Sequence, residues 1–271
     1  MSLFTLLVSI FWCAMIYTLI QREYFPQSSS TFKRAYKQSL SDIKKVTKRR
    51  MVIYYGTNPR AKIGYLHSVV QPREDGTYNI STSCQFSLSV GTLFGWQQIK
   101  SIFGFGHSSK KGFQTELRVD AHIGPDYQLK DMNFYLKSNI LTIVCKGKVR
   151  GSKMLLDIVK DGKKIKQVIA LPKGTMLSSP VGMPGKYTDL KVGKIIRSRW
   201  LEPTTQKFRT STSLVKAKIN YYWCGQEIPV YVIRTESAPL KATSWVTQDG
   251  EVLQYQIFSF TFIKQPNKRK Q

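Results

Sequence analysis

Apolar and polar residues alternate with a period of two along most of the chain after residue 50. The alternation is longest between residues 78 and 90, and it recurs in TELRVDAHI (115–123) and in DMNFYLK (131–137). In the longest run the positions that share one face are Tyr78, Ile80, Thr82, Cys84, Phe86, Leu88 and Val90. This pattern is typical of β-strands that bury one face and leave the other in water. A strand longer than the usual ~5–6 residues twists and curls, so the pattern predicts a mainly β fold of long, curved antiparallel strands that form one or two half-barrel-like domains.

Turn signals separate these runs. Asp-Gly pairs stand at 75–76, 161–162 and 249–250, and each favours a hairpin because the central residues of such turns need positive φ. In the run EVLQYQIFSFTFI (251–263) the apolar positions shift by one residue between Ile257 and Phe258. That phase change predicts a β-bulge.

Two segments depart from the strand pattern. The stretch GTLFGWQQIKSIFGFG (91–106) has apolar residues at helical spacing between glycines, which predicts a short helix at 93–103. Such a helix either fills the curved sheet as core or covers a ligand as a lid, and core filling is the commoner case. The Pro- and Gly-rich stretch 171–193 predicts a boundary between a first antiparallel β half-barrel domain (51–171) and a second β meander (172–271).

The amino-terminal segment is apolar. No charged residue occurs from Leu3 to Ile20, a length close to the ~20 residues that cross a bilayer as a helix. Because a basic start and a small-residue cleavage site are missing, residues 1–21 are predicted to be a retained transmembrane anchor rather than a signal peptide. Residues 22–50 are predicted to be a basic linker, either solvated or lying as an amphipathic helix against acidic headgroups.

The chain is strongly basic, with 42 Lys and Arg against 16 Asp and Glu and a formal net charge of +26. Such a surface attracts anions, which include acidic lipid headgroups, nucleic acid and acidic polysaccharide. A plain solubilising role is the alternative. No nucleic-acid recognition module is recognisable in the sequence, so nucleic acid is the weaker partner prediction.

Groups suited to catalysis are sparse. The three histidines, His67, His107 and His122, belong to no catalytic or metal-binding motif, and the four cysteines form no CxxC pair. No cofactor or metal is therefore predicted, and the chain is interpreted as a non-enzyme. Cys84 and Cys145 lie at apolar strand positions, which favours buried free thiols over a disulfide.

Several phrases resemble those of uncharacterised bacterial envelope proteins, common in planctomycetes and sometimes found beside transglutaminase-like domains. The phrases are YYGTNPRAKIGYLHS, KGKVRGSKMLLDIVKDGKKIKQVIAL, LKVGKIIRSRWLEPTTQKF, EIPVYVIRTE and SWVTQDGEVLQYQ. The β-domains of these proteins are similar to the curved half-barrel of the periplasmic lipoprotein carriers LolA and LolB. The resemblance covers most of residues 51–258, and it implies an envelope location and an apolar ligand. It does not imply transglutaminase activity. The positions that carry it are Gly64, Tyr65, Gly193, Pro203, Trp245, Asp249 and Gly250.

These observations predict a single-pass, non-enzymatic envelope protein whose curved sheet binds a lipid, an acyl chain or another amphipathic ligand while its basic surface meets anionic headgroups. Predicted ligand contacts are Phe86, Trp96, Phe103 and Phe134. The alternatives are a structural or interaction module of an envelope complex with a self-filled core, and a basic nucleic-acid-binding protein. The resemblance puts the body on the periplasmic side, whereas the Lys and Arg residues that follow the anchor favour the cytoplasm by the positive-inside rule.

Overall fold

The computed structural model describes residues 40–56, 61–88, 113–139, 142–171, 187, 189–202, 207–237 and 240–266. The predicted anchor at 1–21 and the predicted helix at 93–103 lie outside these residues. Within the described part of the chain, no helix is long and apolar enough to cross a bilayer. The described residues form the strands β1 Thr47–Tyr55, β2 Ala61–Pro72, β3 Tyr78–Leu88, β4 Phe113–Ile123, β5 Leu129–Ser138, β6 Thr142–Arg150, β7 Lys153–Lys160, β8 Lys163–Ala170, β9 Ile195–Glu202, β10 Lys207–Trp223, β11 Gln226–Ser237, β12 Leu240–Thr247, β13 Val252–Ile257 and β14 Phe260–Lys264.

All fourteen strands belong to one antiparallel sheet that is not closed. Strands β1 to β8 follow one another on one side, and β14 back to β9 follow one another on the other side. The two series meet where β1 pairs with β14. The prediction of a mainly β fold with long antiparallel strands is therefore confirmed.

The two faces of the sheet differ as the alternation predicts. Residues that pair directly across neighbouring antiparallel strands point to the same face. We call the face that carries Ile53, Gly64 and Phe134 the inner face, and the opposite one the outer face. One cluster of buried apolar side chains covers the inner face and includes residues from both series of strands, such as Leu136 and Ile233.

The sheet bends toward its inner face around β1. Strands β3, β2, β1 and β14 are successive neighbours, so a flat sheet would hold β3 and β14 three spacings of ~4.8 Å apart. Yet the ring centroids of Phe86 on β3 and Phe260 on β14 are only 5.9 Å apart, and Tyr55 meets Phe260 edge-on at 5.2 Å. Aromatic side chains from both series thus meet above β1.

Strand β1 belongs to both series of strands. It begins at Thr47, ahead of the predicted domain start at 51, and it pairs with β2 on one side and β14 on the other. The division into domains at 51–171 and 172–271 stays a prediction.

The Asp-Gly signals mark hairpin turns. Asp161 and Gly162 have φ of 48° and 80°, both positive as a two-residue turn requires. Gly76 and Gly250, with φ of 76° and 82°, lie in the turns before β3 and β13. The strands that flank each of these turns are antiparallel neighbours in the sheet, as the sequence predicts.

The predicted bulge in 251–263 is wrong, because the chain reverses there. Strands β13 and β14 form a hairpin in which Ile257 pairs with Phe260. Phe258 takes φ of 51° in the connecting turn, a conformation that non-glycine residues seldom adopt. The apolar phase shifts because a two-residue turn separates the strands. Register irregularities occur elsewhere, for example between Trp245 and Val246.

Candidate functional site

The inner face is incompletely covered at β3 and β4. Ile80, Phe86, Leu117 and Val119 all point to this face, and each is half-buried and packed against the core. We call these four residues, together with the neighbouring Thr115, the β3–β4 patch. Because sites for apolar ligands are lined mainly by apolar and aromatic side chains, this patch is the candidate surface.

Thr115 is an unusual member of the patch. It pairs with Phe86 across the β3–β4 ladder and with Ser138 across the β4–β5 ladder. The residue is 4% exposed, and its hydroxyl oxygen Oγ1 has no hydrogen-bond partner among the described residues. A buried hydroxyl without a partner costs roughly 1–3 kcal/mol. The patch therefore offers an unused donor and acceptor beside an aromatic ring.

Phe86 is held in place by the glycine of the neighbouring strand. Gly64 pairs with Ile53 on one side and with Phe86 on the other. A Cβ atom on Gly64 would lie 2.7 Å from the Cα and Cβ atoms of Phe86 and would press on the carbonyl oxygen of Gln85. Only glycine permits this close approach of β2 and β3. Because Gly64 has no side chain, Phe86 can pack directly against the backbone of β2.

The predicted ligand contacts fall in three different places. Phe86 lies in the patch. Phe134 points to the same face, but it is 6% exposed and pairs with Val119 and Cys145, so it fills the core. Trp96 and Phe103 lie outside the described residues, in the segment 89–112 that links β3 to β4 in the sequence.

Thr115 escaped the sequence prediction. It has the same parity as Leu117 and Val119 in the strand, so alternation alone assigns it to the inner face. Its polar character, in an otherwise apolar row, was the available signal.

Tyr65 lies on the outer face, next to two cations. The Lys62 ammonium nitrogen is 4.6 Å and the Arg50 guanidinium carbon 4.8 Å from the centre of its ring. A hydrogen bond with Lys62, with the positive charges nearby, lowers the pKa of the Tyr65 phenol. Tyr65 therefore lies on the face opposite the patch and does not line it.

Two of the remaining motif positions, Gly193 and Gly250, lie in turns. Gly193 has φ of 86°, and its N–H donates to the carbonyl of Val215 at 2.8 Å. A Cβ atom on Gly250 would collide with the backbone of Tyr187, whose N–H donates to the Gly250 carbonyl at 2.8 Å. These glycines have structural roles.

Trp245 lies on the outer face with Tyr221, at 6.4 Å between ring centroids. The Tyr221 hydroxyl donates to Oε1 of Gln254 at 2.7 Å. Asp249 is exposed in the turn before β13, and Pro203 lies outside the described residues. The motif positions that lie within the described residues do not gather in one site.

Burial keeps the two inner-face thiols near the patch protonated. Burial raises the pKa of the Cys84 thiol to about 12 and that of Cys145 to about 11, the nearby Asp157 adding to the second. Both cysteines are buried and free, as predicted, and Cys224 is free and exposed. On the outer face the side-chain amide nitrogen of Asn79 donates to Nδ1 of His122 at 2.9 Å. In the part of the chain that the structure describes, no three metal-ligating side chains gather.

No protein-family model matches the chain, and no curated protein is similar to it. Among solved structures, the chain is similar to a beta-barrel-like protein of domain of unknown function DUF1849 from Brucella abortus. The TM-score is 0.48 at 7% sequence identity, over 80% of this chain and 94% of that one.

Proposed function

We propose that the protein binds a lipid, an acyl chain or another amphipathic molecule on the β3–β4 patch and catalyses no reaction. The observation that carries the proposal is the buried, unpartnered hydroxyl of Thr115 beside the half-buried ring of Phe86. A ligand with both an apolar chain and a polar group would satisfy both features at once.

The apolar part of such a ligand gains from the partly covered side chains. Each methylene group that leaves water on the patch contributes ~0.8 kcal/mol. The polar part, an ester or amide carbonyl or a hydroxyl, would pair with Oγ1 of Thr115 and remove the cost of a buried polar group without a partner. Amphipathic ligands are thereby preferred over plain hydrocarbons.

The setting of this activity is the cell envelope. The uncharged segment at 1–21 would hold the protein in the membrane as a single anchor, and the resemblance to LolA and LolB favours a body on the periplasmic side. In those carriers the curved half-barrel holds the acyl chains of lipoproteins, and the inward bend of this sheet around β1 fits a related use.

The test is native mass spectrometry of the full-length chain, purified from its original host in mild detergent. We expect a defined lipid adduct that disappears on denaturation. Phe86→Ala and Thr115→Val are expected to weaken it, and Ile219→Ala, which shortens an exposed side chain on β10, is the matched control. A clean apo mass, or an adduct that Phe86→Ala and Thr115→Val leave intact, would contradict the proposal.

One observation favours the alternative of a structural or interaction module. Along β5, β6 and β7 the inner face is filled by the protein's own side chains, and Met154, Leu136 and Leu156 are 0%, 1% and 2% exposed. If the β3–β4 patch is covered in the same way, no ligand is needed. Cross-linking in native membranes, with a partner protein captured by an apo chain, would support this alternative.

A further inference from the structure

The outer face of β6, β7 and β8 concentrates positive charge. The pairing places Lys146, Asp157 and Lys166 in one row across the three strands. Neighbouring rows add other cations on the same face. We call the exposed cations of these rows the basic face: Lys146, Lys148, Arg150, Lys153, Lys164 and Lys166.

The charges of the basic face are not neutralised by neighbours. The three strands carry eight Lys and Arg residues against Asp157 alone. Among the residues that the structure describes, no side chain of the basic face takes part in an ion pair or a hydrogen bond. Unpaired like charges on adjacent strands repel each other, so this arrangement gains stability when an anionic surface covers it.

The outer face of β3 and β4 shows the opposite arrangement. Arg118 forms an ion pair with Asp120 at 2.8 Å, and Ser81 Oγ donates to the same carboxylate at 2.6 Å. Charges there are matched within the sheet. The excess of positive charge on β6–β8 is therefore local and does not extend evenly over the outer face.

Apolar side chains stand between the cations of the basic face. Val168 is 57% exposed, and Leu155, which pairs with it, is half-buried. Cations interleaved with aliphatic groups suit a bilayer surface, where cations meet headgroups and apolar groups enter the interface. Single-stranded nucleic acid is usually bound by aromatic stacking platforms, which these rows lack.

We propose that the basic face docks on the anionic headgroups of a lipid bilayer. This inference goes beyond the proposed function, because it uses the outer face of β6–β8 and not the β3–β4 patch. It fixes how the body lies on the membrane, with the edge strand β8 at the lipid surface.

The test is lysine acetylation of the full-length chain reconstituted into nanodiscs, followed by mass spectrometry. Discs of phosphatidylglycerol with phosphatidylcholine are compared with discs of phosphatidylcholine alone. We expect acetylation of Lys148, Lys153 and Lys164 to slow by about five-fold or more in the anionic discs, the effect of roughly one headgroup-bound cation. Lys216 and Lys241, exposed on β10 and β12, are the internal controls and are expected to react equally in both. High salt is expected to remove the difference, because exposed charges are screened.

A charge-reversed variant makes the test specific. Lys146→Glu with Lys166→Glu is expected to abolish the protection of Lys148 and Lys153, whereas Lys216→Glu with Lys241→Glu leaves it intact. Unchanged slow acetylation of Lys264, whose side chain is 12% exposed and paired with Glu251 at 2.6 Å, would show that each variant is folded. Equal acetylation in both kinds of disc would overturn the proposal. Protection of the same lysines by single-stranded DNA but not by anionic lipid would also overturn it and would identify a nucleic-acid face instead. Loss of the lipid adduct in mass spectrometry would leave this result untouched, so the two proposals fail separately.

Discussion

The inner face of the sheet is packed in two different ways. On β5, β6 and β7 it is sealed, and side chains such as Phe134, Cys145 and Ile158 are buried. On β3 and β4, Ile80, Phe86, Leu117 and Val119 are only half-buried, although Cys84 and Ala121 on the same face are buried. The two regions share one alternating pattern, so alternation shows which face a residue takes but not how completely that face is covered. We interpret the sealed region as support and the half-covered region as the place for a ligand.

The largest expected effect lies in the sealed region. Phe134→Ala removes a buried ring and leaves a cavity, which is expected to lower the free energy of unfolding by about 3–5 kcal/mol. Chemical denaturation followed by circular dichroism measures this. A loss below ~1 kcal/mol would mean that β5–β7 is not packed as tightly as its burial indicates.

A smaller loss is expected from Gly64→Ala, which adds one carbon atom between β2 and β3. The new Cβ would meet the Phe86 backbone at 2.7 Å, and overpacking of this kind costs typically 1–3 kcal/mol. Gln85→Ala changes an exposed residue on the same strand and serves as the control. Equal stability of the two variants would show that the strands can separate without cost.

Phe86→Ala distinguishes the two regions directly. Because the ring is only half-buried, its removal is expected to cost roughly half of what Phe134→Ala costs, about 2 kcal/mol. Phe86→Ala is also expected to lose the lipid adduct. Phe134→Ala is expected to lower the free energy of unfolding but to keep the adduct as long as the protein is folded. If Phe86→Ala destabilises the protein as much as Phe134→Ala does, the comparison of the two regions is wrong.

The thiols allow the same comparison by pH. Cys84 lies in the half-covered region and Cys145 in the sealed one, and burial raises the pKa of both, to about 12 and about 11 from 9.0. The folded state therefore keeps these protons longer than the unfolded state does. The contribution to stability is fully present below pH 9 and is lost as the pH rises toward 11 and 12.

Two measurements check this expectation. Stability above pH 9 is expected to fall less steeply in the Cys84→Ala, Cys145→Ala double variant than in the native chain. In alkylation at pH 8, Cys224 is expected to react while Cys84 and Cys145 stay unmodified until the protein unfolds. Rapid alkylation of Cys84 in the folded chain would show that the half-covered region opens to water.

The smallest effect on stability is expected from Thr115→Val. The substitution keeps the shape of the side chain and removes a hydroxyl that has no partner, so stability is expected to stay level or to rise by up to ~1 kcal/mol. Lipid retention is expected to fall at the same time. Lower stability together with unchanged lipid retention would assign the hydroxyl a structural role instead.

Local patterns predicted local structure well. Alternation assigned Met132, Phe134 and Leu136 to one face, and all three are buried there. The Asp161–Gly162 pair predicted its turn because few residue pairs tolerate two positive φ values.

Nonlocal features were not accessible from the sequence. The turn at Phe258 has no sequence signal, because a phenylalanine takes positive φ only when the packing around it compensates. The pairing of β1 with β14 depends on residues at opposite ends of the sheet's sequence. The orphan hydroxyl of Thr115 could be recognised only once its neighbours were placed, because a polar residue in a strand is ordinarily hydrogen-bonded.

The pairing of Met51 with Lys264 has a consequence for the order of events in synthesis. Among the described strands, β1 leaves the ribosome first, but one of its two neighbours, β14, is the last to appear. Until then its edge, with Ile53 and Tyr55 beside it, stays open, and contacts so distant in sequence form slowly. An unpaired strand edge of this kind is prone to aggregation and is a typical target for chaperones.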